Sequence, residues 1–109
     1  MPYIAAQERE SLDPLIDELA LEIVKKSKRI GGDCAFAGFL NYACTRLAMQ
    51  IIKMHFGKLR YWIIAITTGV FHNIADEFYR RIGTPYEDAQ IIKNGDVDLY
   101  AEFLREIRG

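Results

Sequence analysis

The sequence lacks the short motifs by which many enzymes are recognised. It contains no Walker loop, no G-x-G-x-x-G, no H-E-x-x-H and no C-x-x-C, the patterns that mark phosphate, dinucleotide, zinc and thiol chemistry. Histidine and cysteine are also scarce, with two residues of each type. The missing catalytic constellation favours a binding or assembly protein over an enzyme.

Long uncharged runs and a strong net charge are missing as well. The longest uncharged run of the most apolar segment, Tyr61 to Ala75, is shorter than the roughly 20 residues that a membrane span requires. The net charge of −1 supplies no general attraction for nucleic acid or an anionic membrane. No signal peptide is visible, because Glu8, Arg9 and Glu10 interrupt the N-terminal segment. We expect a soluble protein with neither a membrane nor nucleic acid as its partner.

The two cysteines indicate a reducing compartment. Cys34 and Cys44 are ten residues apart, so in one helix their α-carbons lie roughly 15 Å apart, beyond the ~7 Å limit for a disulfide. Buried free thiols are typical of an intracellular protein. The predicted location is the cytoplasm.

The segment from Arg60 to Gly83 predicts a long central helix. Its beginning, Tyr61 to Ile66, is apolar on every side, and such a helix must be surrounded by other protein. Farther along, Ile74, Phe78 and Ile82 share one face. The other segments are expected to arrange themselves around this helix.

Two helices precede the central one. Asp13 as a cap and Pro14 at the first helical position predict a helix that ends before Gly31. A second long helix is predicted from Phe36 to Phe56, and small residues in its early half, Gly38 among them, predict close helix packing. Its inward face is predicted to consist of Phe36, Leu40, Cys44, Leu47, Ile51 and Met54.

Short connections and further helices complete the predicted fold. The brief link around Gly57 makes the second and central helices antiparallel neighbours. A capping box, Thr84-Pro-Tyr-Glu87, predicts a short helix ending near Gly95, followed by a last helix capped by Asp96 or Asp98. No segment alternates as a strand. We therefore predict one all-α domain over residues 1–109, a small helical bundle built on two long antiparallel helices with shorter flanking helices; the alternative is a hairpin stable only when paired with a second chain.

The predicted hairpin brings polar residues of two helices to one level. With a turn near Gly57, facing positions sum to roughly 115, so one cluster is expected to contain Asn41, Thr45, His72, Asn73 and Asp76. His72 and Asp76 are one helical turn apart, a spacing that two metal ligands can share. Two ligands do not make a metal site, and we expect neither a metal nor a cofactor.

Charged residues outside that cluster give weaker signals. Asp76 with Arg80, and Glu77 with Arg81, have the spacing of stabilising helical pairs. Arg46 interrupts an apolar run and is expected to need a carboxylate or an interface partner. The basic residues from Lys25 to Arg29 are interpreted as complementing a helix C-terminus, with DNA binding as an alternative.

Three stretches together resemble a known family. They are Met1-Pro-Tyr-Ile with Leu12-Asp-Pro-Leu-Ile16, Gly38-Phe-Leu-Asn-Tyr42 with Thr45-Arg-Leu47, and Phe78-Tyr-Arg-Arg81 with Pro85-Tyr-Glu-Asp88 and Asn94-Gly-Asp-Val97. The chain up to about Val97 resembles small proteins of unknown function from prokaryotes and their phages, although that pattern has Glu where this chain has Phe39. The resemblance implies no activity. It implies that one group of residues merits joint testing: Asn41, Tyr42, Arg46, Tyr79, Arg80, Arg81, Tyr86 and Glu87.

Two functions of different classes follow from these observations. The hydrophobic fraction of 50% is high for a small domain and predicts a surface that a partner covers. We predict a non-catalytic binding or assembly protein that forms a homo-oligomer, with some of Tyr61, Trp62, Ile64 and Met49 uncovered in the single chain. A last helix that folds back and seals a monomer is the competing account. The alternative function is metal-dependent hydrolysis of nucleotide-like phosphates by carboxylates on adjacent helices, with Asp17, Glu18, Glu22, Asp76 and Glu77 as candidates.

Overall fold

The computed structural model describes residues 2–109; Met1, the start of the family-like motifs, lies outside the described residues. Over this range the chain forms α-helices and one π-helical turn, and no strand. The all-α class is therefore confirmed. The α-helices are α1 (Ala6–Ile30), α2 (Ala35–Phe56), α3 (Tyr61–Phe78), α4 (Thr84–Asn94) and α5 (Asp98–Arg108), and the π-helical turn is Tyr79–Gly83.

The chain divides into two compact units, and the boundary between them lies within α3. The first ends at Val70 and includes α1, α2 and the beginning of α3; the second is Phe71–Gly109 and includes the π turn, α4 and α5. A single domain over residues 1–109 stays a prediction. None of the helices in the described range combines the length and apolarity needed to cross a membrane.

In the first unit, α1 packs against α2. Ile23 on α1 and Phe39 and Ala43 on α2 are half-buried. The sequence predicted α3 as the antiparallel neighbour of α2, but the long helix packed on α2 in this unit is α1. Beyond the end of α2, the rings of Phe56 and Trp62 meet edge to face with their centroids 5.3 Å apart.

Helix α1 begins earlier than the sequence predicted. It starts at Ala6, and Pro14 lies inside it instead of at its first position. The residues from Ala6 to Glu10 are mostly strong helix formers, so the helix forms ahead of the proline, which leaves the carbonyl of Glu10 without its usual donor. The predicted cap at Asp13 is therefore wrong.

The predicted capping box at Thr84 is also wrong. The backbone stays helical through Gly83 and Thr84, with no side-chain cap, and the Thr84 N–H donates to the carbonyl of Tyr79, five residues back. Pro85 has no N–H to donate to the preceding turn, and the wider π turn lets one helix continue into the next. Helix α4 then ends at Asn94 before Gly95, as predicted.

The single chain has almost no core. Among residues 2–109 only Ile63 is buried, with 3% of its surface exposed. The face of α2 predicted to point inward is exposed along its length, Cys44 included, and Cys34 is exposed too. A methyl group added at Gly38 would meet no atom within 4 Å. These predictions fail because the inward face was assigned from periodicity, which locates an apolar stripe but not the element that covers it.

Candidate functional site

Four of the predicted site residues lie on α2 in the first unit. The Thr45 hydroxyl donates to the carbonyl of Asn41 at 2.7 Å and lies 3.4 Å from the Asn41 side-chain oxygen. This bond to the carbonyl four residues back is the usual one for a threonine within a helix. Tyr42 and Arg46 are exposed on the same helix. The structure thus joins Asn41 to Thr45 directly and places Tyr42 and Arg46 close by in sequence.

Tyr42 and Arg46 also line a groove between α1 and α2. This groove, which we call the α1–α2 groove, has a volume of about 390 Å³. Apolar residues from both helices line it, and charged side chains stand among them. The lining residues are Leu19, Glu22, Ile23, Lys26, Phe39, Tyr42, Ala43, Arg46, Leu47 and Gln50.

Sequence reasoning did not find this groove. It assigned α2 an inward face that is adjacent to the one with Phe39 and Ala43, which are both half-buried. The available signal was that Phe39, Ala43 and Arg46 recur at helical spacing. That stripe, with its small central Ala43, could have been paired with Leu19 and Ile23 of α1.

The other predicted site residues lie in the second unit. His72, Asn73 and Asp76 are exposed on α3, and Glu77 is half-buried. The Arg80 guanidinium donates to Glu77 Oε1 at 2.6 Å, so this ion pair spans three residues instead of the predicted four. Arg81 and Tyr86 are exposed. The predicted cluster of Asn41, Thr45, His72, Asn73 and Asp76 draws on both units and stays a prediction.

A side-chain hydrogen bond joins Tyr79 and Glu87 in the second unit. The Tyr79 hydroxyl donates to Glu87 Oε1 across the π turn. This hydrogen bond raises the pKa of Tyr79 above its ordinary value of 10.0, and desolvation and the negative charge of Glu87 act in the same direction. Glu87 was predicted to cap Thr84, and it holds the Tyr79 hydroxyl instead.

Metal binding was not predicted, and the described residues contain no group of three or more His, Cys, Asp or Glu side chains able to hold an ion. The carboxylates named for the hydrolase alternative lie on α1 in the first unit and on α3 in the second. That alternative stays a hypothesis from the sequence.

Comparison with known proteins adds a family. Residues 1–97 match the model of a domain of unknown function (DUF6899). The chain belongs to this family. The match includes all the motifs on which the resemblance rests and ends where those motifs end, at Val97. No curated protein and no solved structure matches the chain.

Proposed function

We propose that this DUF6899 protein is an assembly protein that functions as a homo-oligomer, in the simplest case a homodimer, and that it acts by binding and not by catalysis. The observation that carries the proposal is the missing core. Ile63, the one buried residue of the described range 2–109, does not by itself stabilise a folded chain of this length. Apolar faces on the long helices therefore need a second surface.

The accessible area gives the size of this deficit. The chain exposes 9878 Å², whereas a folded monomer of its mass is expected to expose about 6,200 Å². The excess of roughly 3,700 Å² is several times the ~800 Å² that each partner contributes to a stable interface. The uncovered area is therefore ample for an obligate association.

The exposed apolar residues lie in continuous stripes. On α2 the stripe, which we call the α2 stripe, consists of residues one helical turn apart: Phe36, Leu40, Cys44, Leu47 and Ile51. On α3, Tyr61 is 82% exposed, Trp62 50% and Ile64 45%. Met49, on α2, is also exposed. These are the four residues among which the sequence predicted an uncovered patch, and their exposure supports the proposal.

A second copy of the chain is the simplest partner for such stripes. Two-fold symmetry lets one patch cover the same patch on its neighbour. A net charge of −1 creates little repulsion between copies. Burial of the stripes would supply roughly 25 cal/mol per Å² of apolar area removed from water.

Sedimentation at micromolar concentration tests this proposal. We expect a mass that is a multiple of 12.5 kDa. Ile51→Glu, in the α2 stripe, should reduce the associated fraction. Lys53→Gln changes the net charge by the same amount outside that stripe and should leave the mass unchanged. A wild-type chain that stays soluble and helical as a monomer would contradict the proposal.

A further inference from the structure

Helix α5 is more strongly amphipathic than α4, the other short helix. Leu99, Phe103, Leu104 and Ile107 recur at three- and four-residue spacing and share one face. Phe103 is 59% exposed and Ile107 80%. The account in which this helix seals a monomer stays a prediction, and the mixing experiment below tests it. An uncovered apolar face of this kind is suited to a groove on another chain.

One border of this face is acidic. On a helical projection Glu102 and Glu106 lie beside Leu99 and Phe103, whereas Arg105 lies on the opposite side. A groove that receives this helix should therefore combine an apolar floor with a basic edge along one side.

The α1–α2 groove has an apolar floor and one basic side. Leu19 and Ile23 of α1 and Phe39 and Ala43 of α2 line it. Arg46 is the charged residue of the α2 side, whereas Lys26 on the α1 side is accompanied by Glu22. Neither cation takes part in the ion pairs found among residues 2–109. Arg46 thus forms no ion pair with a carboxylate within the described chain, although its place in an apolar run predicted that it needs a carboxylate or an interface partner.

We propose that α5 of a second copy docks in the α1–α2 groove, with its acidic border towards Arg46. This inference rests on the proposed homo-oligomer and adds a second contact between copies to the one proposed at the α2 stripe. Under two-fold symmetry each chain gives one helix and receives one, so the contact occurs twice.

The position of the family boundary is consistent with this role. The groove lies within residues 1–97, which match the family model, and α5 begins at Asp98, the next residue. The helix that we propose as the ligand is thus an addition to the matched region, and the groove is part of it.

Two substitutions with matched controls test the contact by sedimentation equilibrium. Phe103→Glu places a charge on the apolar face of α5, and Ala43→Trp fills the groove. Each should weaken association by about ten-fold or more, the loss typical of a central interface residue. Arg105→Gln changes the net charge as Phe103→Glu does but lies on the other side of α5, and Thr45→Trp adds the same ring on the side of α2 away from both the groove and the α2 stripe. Both controls should associate like the wild type.

Mixing the two defective variants separates docking between chains from docking within one chain. A dimer of Phe103→Glu with Ala43→Trp retains one intact pair, the groove of the former with α5 of the latter. We expect the mixture to associate more tightly than either variant alone, with different affinity tags identifying the mixed species. Circular dichroism of each variant confirms that it remains helical.

The outcomes are distinguishable. Association that is equally tight in the wild type, Phe103→Glu and Ala43→Trp would overturn the docking of α5 and leave the homo-oligomer intact. Variants that lose stability without any complementation on mixing would show that α5 covers its own chain, which also overturns the proposal. A monomeric wild type would overturn both this inference and the proposed function.

Discussion

The ring of Tyr79 lies so close to Gly83 that a Cβ atom at position 83 would be 2.6 Å from Tyr79 Cδ2. The π turn brings these two residues together, and the Tyr79 hydroxyl continues past Gly83 to Glu87. Gly83 is thus required for a close approach and not for an unusual backbone angle, since its φ is −66°.

Replacement of Gly83 by alanine should therefore break the usual rule for helical glycines. Gly→Ala in a helix ordinarily stabilises by roughly 0.5–1 kcal/mol. At position 83 the methyl group must displace the Tyr79 ring and its hydrogen bond, and we expect no gain or a loss of about 1 kcal/mol. Urea unfolding measures the difference.

Gly38→Ala is the matched control, because Gly38 also lies in a helix and a methyl group there would meet nothing within 4 Å. We expect Gly38→Ala to stabilise the protein. Equal stabilisation by both substitutions would show that the contact between Tyr79 and Gly83 does not constrain the π turn.

The hydrogen bond between Tyr79 and Glu87 predicts a dependence on high pH. The bond raises the pKa of Tyr79 above 10.0 in the folded chain, so folding favours the protonated phenol. The stabilisation is complete below pH 10.0, where the unfolded chain also keeps its proton, and is lost as the pH rises through the folded pKa. The ultraviolet absorbance of tyrosinate should therefore contain a component from Tyr79 that titrates at higher pH than an ordinary tyrosine.

Two variants assign that late titration. Tyr79→Phe should remove this component. Glu87→Gln should move it to lower pH, because the amide removes the negative charge next to the phenol. A late component that persists in Tyr79→Phe would belong to another tyrosine.

Local signals in the sequence predicted the helices well, but not which faces are covered. The ends of α2 and α4 were found because Gly57 and Gly95 follow them, both with positive φ. The start of α1 was missed because Pro14 marks a first helical turn in many proteins but lies inside a helix here. Helical periodicity located the apolar stripes. It cannot distinguish a face that is buried within the chain from a face that another chain covers.

The same limit applies to the candidate site. Arg46 was singled out because it interrupts an apolar run, and the structure places it in a groove. The bond between Tyr79 and Glu87 was not predicted, because it depends on the π turn, for which the sequence carries no simple periodic signal. The resemblance had grouped both residues without giving the reason for their contact.

The single tryptophan provides a test of association. Trp62 is 50% exposed and contacts Phe56 edge to face. If a second copy covers this part of α3, dilution should shift Trp62 emission to longer wavelength and increase its quenching by acrylamide. Both changes should follow the fall in mass. Constant emission across a range where the mass changes would place the interface away from Trp62.

The two cysteines should differ in reactivity once the chain associates. Both are exposed in the single chain, so an unassociated chain should react with a thiol reagent at Cys34 and Cys44 alike. Cys44 lies in the α2 stripe between Leu40 and Leu47, whereas Cys34 precedes α2. If a second copy covers the stripe, the reaction rate of Cys44 at high protein concentration should fall by about ten-fold or more and should recover on dilution. The rate then depends on the fraction of chains that are dissociated. Cys34→Ala and Cys44→Ala assign the two rates. If the rate for Cys44 stays constant over a concentration range in which the mass changes, the α2 stripe is not the interface.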